Sequence, residues 1–298
     1  MFNPKIFLLA FFLIILILLN YLFPQKELIS IEKYINTNFS INNSDMQFYP
    51  SLRFINKNIS YQIFNCTLKK EKDMNYAFSI LENLTLLDFY PVTNNEQISV
   101  TCDEKLNESR QGLFIAGEGG PTEIIHAGEI NLILKGKILL ITPSQCTFPN
   151  VALHELLHVL GFKHSENPGN IMYNVTNCNQ EIGEDILSLI NDLYSIPNYP
   201  DLLFQEVVGI QNGHLLNINF TIFNRGLKDS ENFYVEFYSG ENMFKKINFG
   251  PIQMGRGRLF SIQNVIIKKN TDELFLLINY LPDELNKRNN KIKLEIKK

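Results

Sequence analysis

The run His154-Glu155-Leu156-Leu157-His158-Val159-Leu160-Gly161-Phe162-Lys163-His164 constrains this chain more tightly than any other stretch. Two histidines four residues apart on a helix project from one face, one turn apart, so both rings can bind a single zinc ion through nitrogen. A third ring cannot come from the next turn if three are to surround the ion tetrahedrally. Gly161 meets that need, because a residue that tolerates positive φ ends the helix and turns the chain, and His164 then reaches the metal from the turn. Three protein ligands leave the fourth position to water, the arrangement of a catalytic rather than a structural zinc site. Glu155, beside the first ligand, is placed as general base toward that water. From average residue usage these five positions coincide by chance in roughly one chain in 100,000 of this length. His126 and His214 belong to no such spacing and read as surface or hydrogen-bonded histidines, with His126 near a presumed edge strand.

Composition sets the outer limits. A length of 298 residues suggests two domains, and 45% hydrophobic with 19% charged residues describes a folded chain rather than a disordered one or a coiled coil. With 27 basic and 31 acidic side chains the net charge is -4, which excludes nucleic acid as an expected partner. From Ile6 to Phe23 the chain is apolar except for Asn20. As a helix that run reaches about 27 Å, close to the roughly 30 Å hydrocarbon core of a bilayer. No small-residue cleavage site follows, so residues 1–24 read as an uncleaved transmembrane signal anchor rather than a cleaved signal peptide. Asn-x-Ser/Thr triplets begin at Asn38, Asn42, Asn58, Asn65, Asn83, Asn107, Asn174 and Asn219, and Cys66, Cys102, Cys146 and Cys178 all lie beyond the span. Both features point to an oxidising, extracellular face. Four cysteines permit three connectivities, and none of these has the CxxC spacing of a zinc ribbon.

Residues 25–50 are polar and Asn-rich and read as a stalk. A strand over Leu52–Asn65, a helix over Lys69–Leu87 and a strand over Ile98–Cys102 give the order of a parallel crossover, which would end Cys66 and Cys102 on neighbouring strands where they can pair. Further strands are expected at Leu113–Ala116, Ile124–Leu134 and Lys137–Ile141, with Gly119, Gly120, Pro121 and Gly136 as turns. Helices follow at about Val151–Leu160 and Gly183–Leu193. Beyond Leu202 the pattern is strands only, at Leu216–Ile222, Phe233–Tyr238, Leu259–Ile267, Leu274–Tyr280 and Lys291–Ile296, the spacing of a β-sandwich. The fold class is therefore α+β over residues 51–200, followed by an all-β immunoglobulin-like sandwich over residues 201–298.

His154, Glu155, His158, Gly161 and His164, with Met172 downstream, resemble the metzincin zinc metallopeptidases, in which a Met-turn lies beneath the metal. Ser165 directly after the third histidine and the pair Met172-Tyr173 look like the matrixin branch, whereas the tyrosine ligand of astacins would stand two residues past the methionine, where this chain has Asn174. The resemblance covers about Leu52 to Ser195. It implies an upper lobe with a twisted mixed sheet, an active-site helix beneath it and a short lower lobe ending in a helix. Departures are visible too: all four cysteines lie within the expected catalytic block, so no propeptide cysteine switch is expected, no cluster for a second structural zinc is visible, and Asn174-Val175-Thr176 stands where animal matrixins have proline after Met-Tyr. Cys146 and Cys178 bracket the zinc helix and the Met-turn, and a disulfide between them is expected. Phe223-Asn224-Arg225-Gly226, and Asp283-Glu284-Leu285-Asn286 with Asn289-Asn290, resemble CARDB-like surface modules over roughly Phe204–Lys298.

The expected activity is that of a membrane-anchored, extracellular zinc endopeptidase with one catalytic Zn2+. Protein or peptide substrates would lie extended along an edge strand, and Glu155 would relay the proton from water to the leaving nitrogen. The sandwich is expected to meet cell-surface partners. An alternative from another class is a surface adhesion or scaffold protein acting through the sandwich, with a secondary or inactive zinc site; a third is hydrolysis of a non-peptide amide at the same site.

Overall fold

The computed structural model describes residues 38–39, 46–103, 115–127, 130–142, 146–267 and 273–297. The expected anchor and most of the expected stalk lie outside the described residues, and among the described residues no helix is long and apolar enough to cross a membrane.

Among the described residues the first half builds one mixed sheet and three helices. In chain order these are β1 (Leu52–Phe54), β2 (Asn58–Phe64), α1 (Leu68–Leu84), β3 (Asp88–Pro91), β4 (Ile98–Cys102), β5 (Gly117–Ala127), β6 (Ile130–Leu140), α2 (Asn150–Val159) and α3 (Glu184–Ser195). β1 and β4 pair in parallel with successive parts of β6, β2 and β3 continue the parallel sheet beyond β4, and β5 closes the other side of β6 as an antiparallel edge strand. On α1 the stripe Met74, Ala77, Phe78 and Leu81 is buried, which fixes the helix against the sheet. The expected strand over 52–65 is broken between β1 and β2. The crossover from β2 through α1 returns first as β3 on one side of β2, while β4 takes the other side. Cys66 and Cys102 therefore do follow adjacent strands, and they form a disulfide.

Two expected turns are strand interior. Gly119, Gly120 and Pro121 lie within β5 and Gly136 within β6. The reason is close packing against α2: a Cβ at Gly119 would stand 2.3 Å from the Glu155 carbonyl oxygen, and one at Gly136 would stand 2.4 Å from Val159 Cγ1. These glycines mark the approach of a helix rather than a reversal of the chain. Pro121, which cannot donate to a ladder, is tolerated because β5 is an edge strand with register shifts on either side of Glu123. Of the strand expected at Leu113–Ala116, Leu113 and Phe114 lie outside the described residues, and Ile115 and Ala116 precede β5 without belonging to a strand.

The second half is a two-sheet sandwich made by β7 (Leu202–Asn212), β8 (Leu215–Asn224), β9 (Phe233–Ser239), β10 (Asn242–Phe249), β11 (Gly257–Ile266), β12 (Leu274–Asn279), β13 (Lys291–Lys293) and β14 (Ile296–Lys297). The sheet orders are β10-β9-β12-β13 and β11-β8-β7-β14. β8 shows the alternation that drives this: Leu216, Ile218, Phe220 and Ile222 are buried, and Leu215, Asn217 and Asn219 are exposed. β10, with its polar sequence Asn-Met-Phe-Lys-Lys, was not expected.

The two halves share apolar surface. Leu132 of β6 and Leu227 after β8 are both buried in a cluster with Ile55, Ile125, Ile130, Ile196, Met254 and Leu285. Arg53 of β1, also fully buried, donates to the carbonyls of Leu193 and Ile196 (3.2 Å to the latter) at the C-terminus of α3. A buried guanidinium is thereby paired with the negative end of a helix instead of a carboxylate.

Candidate metal centre

α2 is apolar around most of its circumference and buried along its whole length, so it is a core helix whose polar residues His154, Glu155 and His158 are buried with it. Burial imposes a hydrogen-bond requirement on each ring. His154 Nδ1 lies 2.7 Å from the Ile171 carbonyl oxygen and His158 Nδ1 lies 2.7 Å from the Phe162 carbonyl oxygen. Carbonyls only accept, so each Nδ1 carries the proton and each Nε2 is left with its lone pair, the tautomer a metal needs. Burial holds both rings neutral, pushing His154 down to about 4 and His158 down to about 3; partial burial lowers His164 as well.

Gly161 has φ +96 and ends α2 as expected, and a Cβ there would also meet Leu52 Cδ2 at 2.6 Å. The chain turns and brings His164 Nε2 to 3.1 Å from His158 Nε2. The candidate ligand atoms of His154, His158 and His164 all lie within 4.8 Å of one another. Three nitrogens about 2.0–2.1 Å from a tetrahedral zinc would be about 3.3 Å apart, so the donor set fits one zinc ion. Met172 is fully buried in the turn below, where Ser165 N donates to Met172 O at 2.8 Å and Met172 N donates to Asn170 Oδ1 at 2.8 Å. Because the same turn supplies the Ile171 carbonyl that orients His154, its role is to set a ligand's tautomer and support the site from beneath.

A protein-family model described as matrixin matches residues 53–195. Over these residues the chain is similar to the matrixin family. No curated protein gives a match. Among solved structures the chain is similar to high choriolytic enzyme 1, a hatching enzyme zinc-protease from the medaka fish Oryzias latipes, at 16% identity over 46% of this chain and 89% of that one, with a TM-score of 0.31. It is similar to myroilysin at 14% identity over 56% of this chain and 97% of that one, with a TM-score of 0.33. A CARDB domain from Pyrococcus furiosus is matched at 14% identity over 33% of this chain and 89% of that one, with a TM-score of 0.26. The matrixin family is zinc-dependent, and His154, His158 and His164 together could hold one zinc ion.

Glu155 is buried next to the ligands, and burial together with the nearby charge of Glu118 pushes its carboxyl up to about 8. Its side chain is held against β5: a Cβ on Gly117 would lie 2.8 Å from Glu155 Cγ and 2.9 Å from Oε1. The Cys146–Cys178 disulfide forms as expected, and Asn150 Nδ2 donates to the Asn177 carbonyl at 2.8 Å beside it, so the start of α2 is tied twice to the segment after the Met-turn. His126 and His214 stay outside the site. His126 is exposed with Nδ1 2.6 Å from Asn131 Oδ1, and His214 is exposed on the sandwich.

Residues 46–49, assigned above to the stalk, also belong to this centre. Phe48 N donates to the Gly161 carbonyl and Lys163 N to the Met46 carbonyl, both at 2.8 Å, so a short bridge runs along the ligand loop. Buried Gln47 donates to the carbonyl of Leu52 and accepts from Leu52 N, and the Phe48 ring stacks on His158 with centroids 6.1 Å apart. The only signal for this in the sequence is the aromatic cluster Phe48-Tyr49-Pro50 at the end of an otherwise polar stretch.

Proposed function

We propose that residues 53–195 form an endopeptidase of matrixin-like subtype, carried at the extracellular face of a membrane by residues 1–24. The observation that supports it best is the juxtaposition of three convergent histidine rings, a buried carboxylate one residue from the first ligand, and an edge strand passing over that carboxylate. Zinc, when bound, supplies Lewis acidity to the scissile carbonyl and to the attacking water. The remaining work belongs to the chain. The outward-facing N–H and C=O groups of β5 can take an extended peptide as a further strand and fix its carbonyl over the site. Glu155 accepts the proton of the attacking water and delivers it to the leaving nitrogen, so that one proton moves from oxygen to nitrogen as the C–N bond breaks. A basic carboxylate with a raised proton affinity suits both halves of that relay. The neutral Nδ1–H tautomers of His154 and His158 keep the ligand set oriented throughout.

The full chain in detergent should cleave a mixed peptide library, lose cleavage with a chelator and regain it with added zinc. Zinc binding without any cleavage would overturn the reading in favour of adhesion through the sandwich. Anchoring is tested separately: alkaline carbonate should leave the full chain in the membrane pellet of its source cells, and release into the supernatant would refute the anchor.

A further inference from the structure

The strand that lines the cleft is almost bare. Across Gly117-Glu118-Gly119-Gly120 only Glu118 has a side chain. Its direction follows from the register. Gly117, Gly119 and Pro121 pair with Leu140, Ile138 and Gly136, and the would-be Cβ atoms of Gly117, Gly119 and Gly136 all point at α2. Strand alternation then sends Glu118 to the opposite face of the sheet, with its cross-strand partner Leu139 and the exposed Lys137. Glu118 is exposed, and among the described residues it enters no hydrogen bond or ion pair, Lys137 included. Its two neighbours in the strand, Gly117 and Gly119, lie directly against Glu155, so Glu118 stands on the stretch of β5 that passes over that carboxylate. A free carboxylate thus stands at the rim of the zinc site, beside the main chain on which a substrate would pair.

We propose that Glu118 is a specificity-determining residue that selects peptides with lysine or arginine next to the scissile bond. This rests on the endopeptidase reading. In an extended substrate paired with β5, alternate side chains project toward α2 and toward the face of Glu118. The residues on the Glu118 face, adjacent to the one that faces α2, meet a single unpaired negative charge with no neighbouring side chain on β5 to screen it. A cationic side chain gains an exposed charge pair and an acidic one is repelled. The pairing is modest in water, so the expected preference for lysine over glutamate there is on the order of tenfold in kcat/KM.

The test measures kcat/KM for the full chain on matched peptides that differ only by lysine, glutamine or glutamate at each position flanking the cleaved bond. In the wild type one flanking position should favour lysine over glutamate about tenfold, less so at 0.5 M salt than at 0.05 M because the pair is exposed. Glu118→Gln should reduce that preference to near unity at that position alone, and Glu118→Lys should invert it, each preference being read as a ratio of kcat/KM values within one protein. Cleavage with the same charge preference in all three proteins would overturn the role of Glu118 and leave the endopeptidase reading standing. Absence of cleavage of any peptide by zinc-loaded wild type would overturn both. Loss of cleavage of the neutral peptide in both variants would also reject the proposal, since it would show a structural rather than a selective role.

Discussion

The floor and the rim of the cleft are built by opposite means. The floor consists of side chains: His154 and His158 fixed by the carbonyls of Ile171 and Phe162, His164 delivered by the turn at Gly161, Met172 packed below, and a disulfide beside them. The rim consists of main chain, because at Gly117 and Gly119 the helix lies where side chains would be. A metal site needs particular donor atoms held at particular distances, so the floor is written in residue identities. A strand that must pass within contact of a helix and still offer its backbone to a substrate needs only the absence of Cβ. The floor therefore tolerates changes that keep donor atoms, whereas the rim tolerates changes that add no volume, and experiments can separate the two.

The largest effect is expected on the floor. Glu155→Gln keeps the shape of the side chain and removes the proposed base, so turnover should fall by roughly 10²–10⁴-fold while bound zinc, measured by elemental analysis, stays at one ion per chain. Unaltered turnover would show that the carboxylate beside the first ligand is not the base. Next comes the crosslink at the edge of the floor. Replacing Cys146 and Cys178 together opens a loop spanning 32 residues, which should lower stability by about 2–4 kcal/mol in denaturant unfolding. Asn150 still joins α2 to Asn177, so the fold should persist.

At the rim the contrast lies between neighbours. Gly119→Ala places a Cβ 2.3 Å from the Glu155 carbonyl oxygen and 2.9 Å from its Cα, backbone atoms that cannot swing aside. It should cost about 1–3 kcal/mol and lower kcat/KM by displacing β5 from Glu155. Gly120→Ala meets nothing within 4 Å and should change stability by no more than about 0.5 kcal/mol. Equal effects of the two substitutions would break the distinction between rim and floor.

That distinction also explains what was readable in the sequence. The ligand triad, Glu155, Gly161 and Met172 are legible because each is a specific chemical requirement at a fixed spacing, and the alternation in β8 is legible because one face of the sandwich is buried. Gly119 and Gly136 read as turns because a glycine has the same letter whether it supplies positive φ or close approach, and only the fold says which. Gln47 and Phe48 were hidden for a different reason. Phe48 bonds Gly161 through its own backbone, and the Gln47 side chain bonds the backbone of Leu52, so neither contact has a partner side chain that would leave a pattern in the sequence. The cluster joining Leu132 to Leu227 was equally invisible, since a strand buried on both faces carries no record of which neighbour covers it.

A further effect concerns protons on the floor, and its sign can be worked out for the chelated protein. His154 and His158 titrate near 6.5 when unfolded but only at about 4 and about 3 when folded, so below pH 6.5 the unfolded chain binds two more protons here. Stability from the pair is complete above pH 6.5 and is lost as pH falls. Glu155 acts the other way: its carboxyl is raised from 4.5 to about 8, so between those values the folded chain binds one more proton and stability falls as pH rises. From His154, His158 and Glu155 together the net excess is one proton for the unfolded chain between pH 4.5 and 6.5 and one for the folded chain between 6.5 and 8; His164, lowered as well, adds to the unfolded side below 6.5, and the site's maximum stays near pH 6.5. Each net proton is worth at most about 1.4 kcal/mol per pH unit. Subtracting the unfolding curve of Glu155→Gln from that of wild type, both with chelator, cancels the histidines and every other group. The difference should decline steadily from pH 4.5 to 8 and be flat below pH 4.5. A flat difference throughout would mean that Glu155 titrates like a solvated carboxylate, and the buried general base on the floor of the cleft would have to be abandoned.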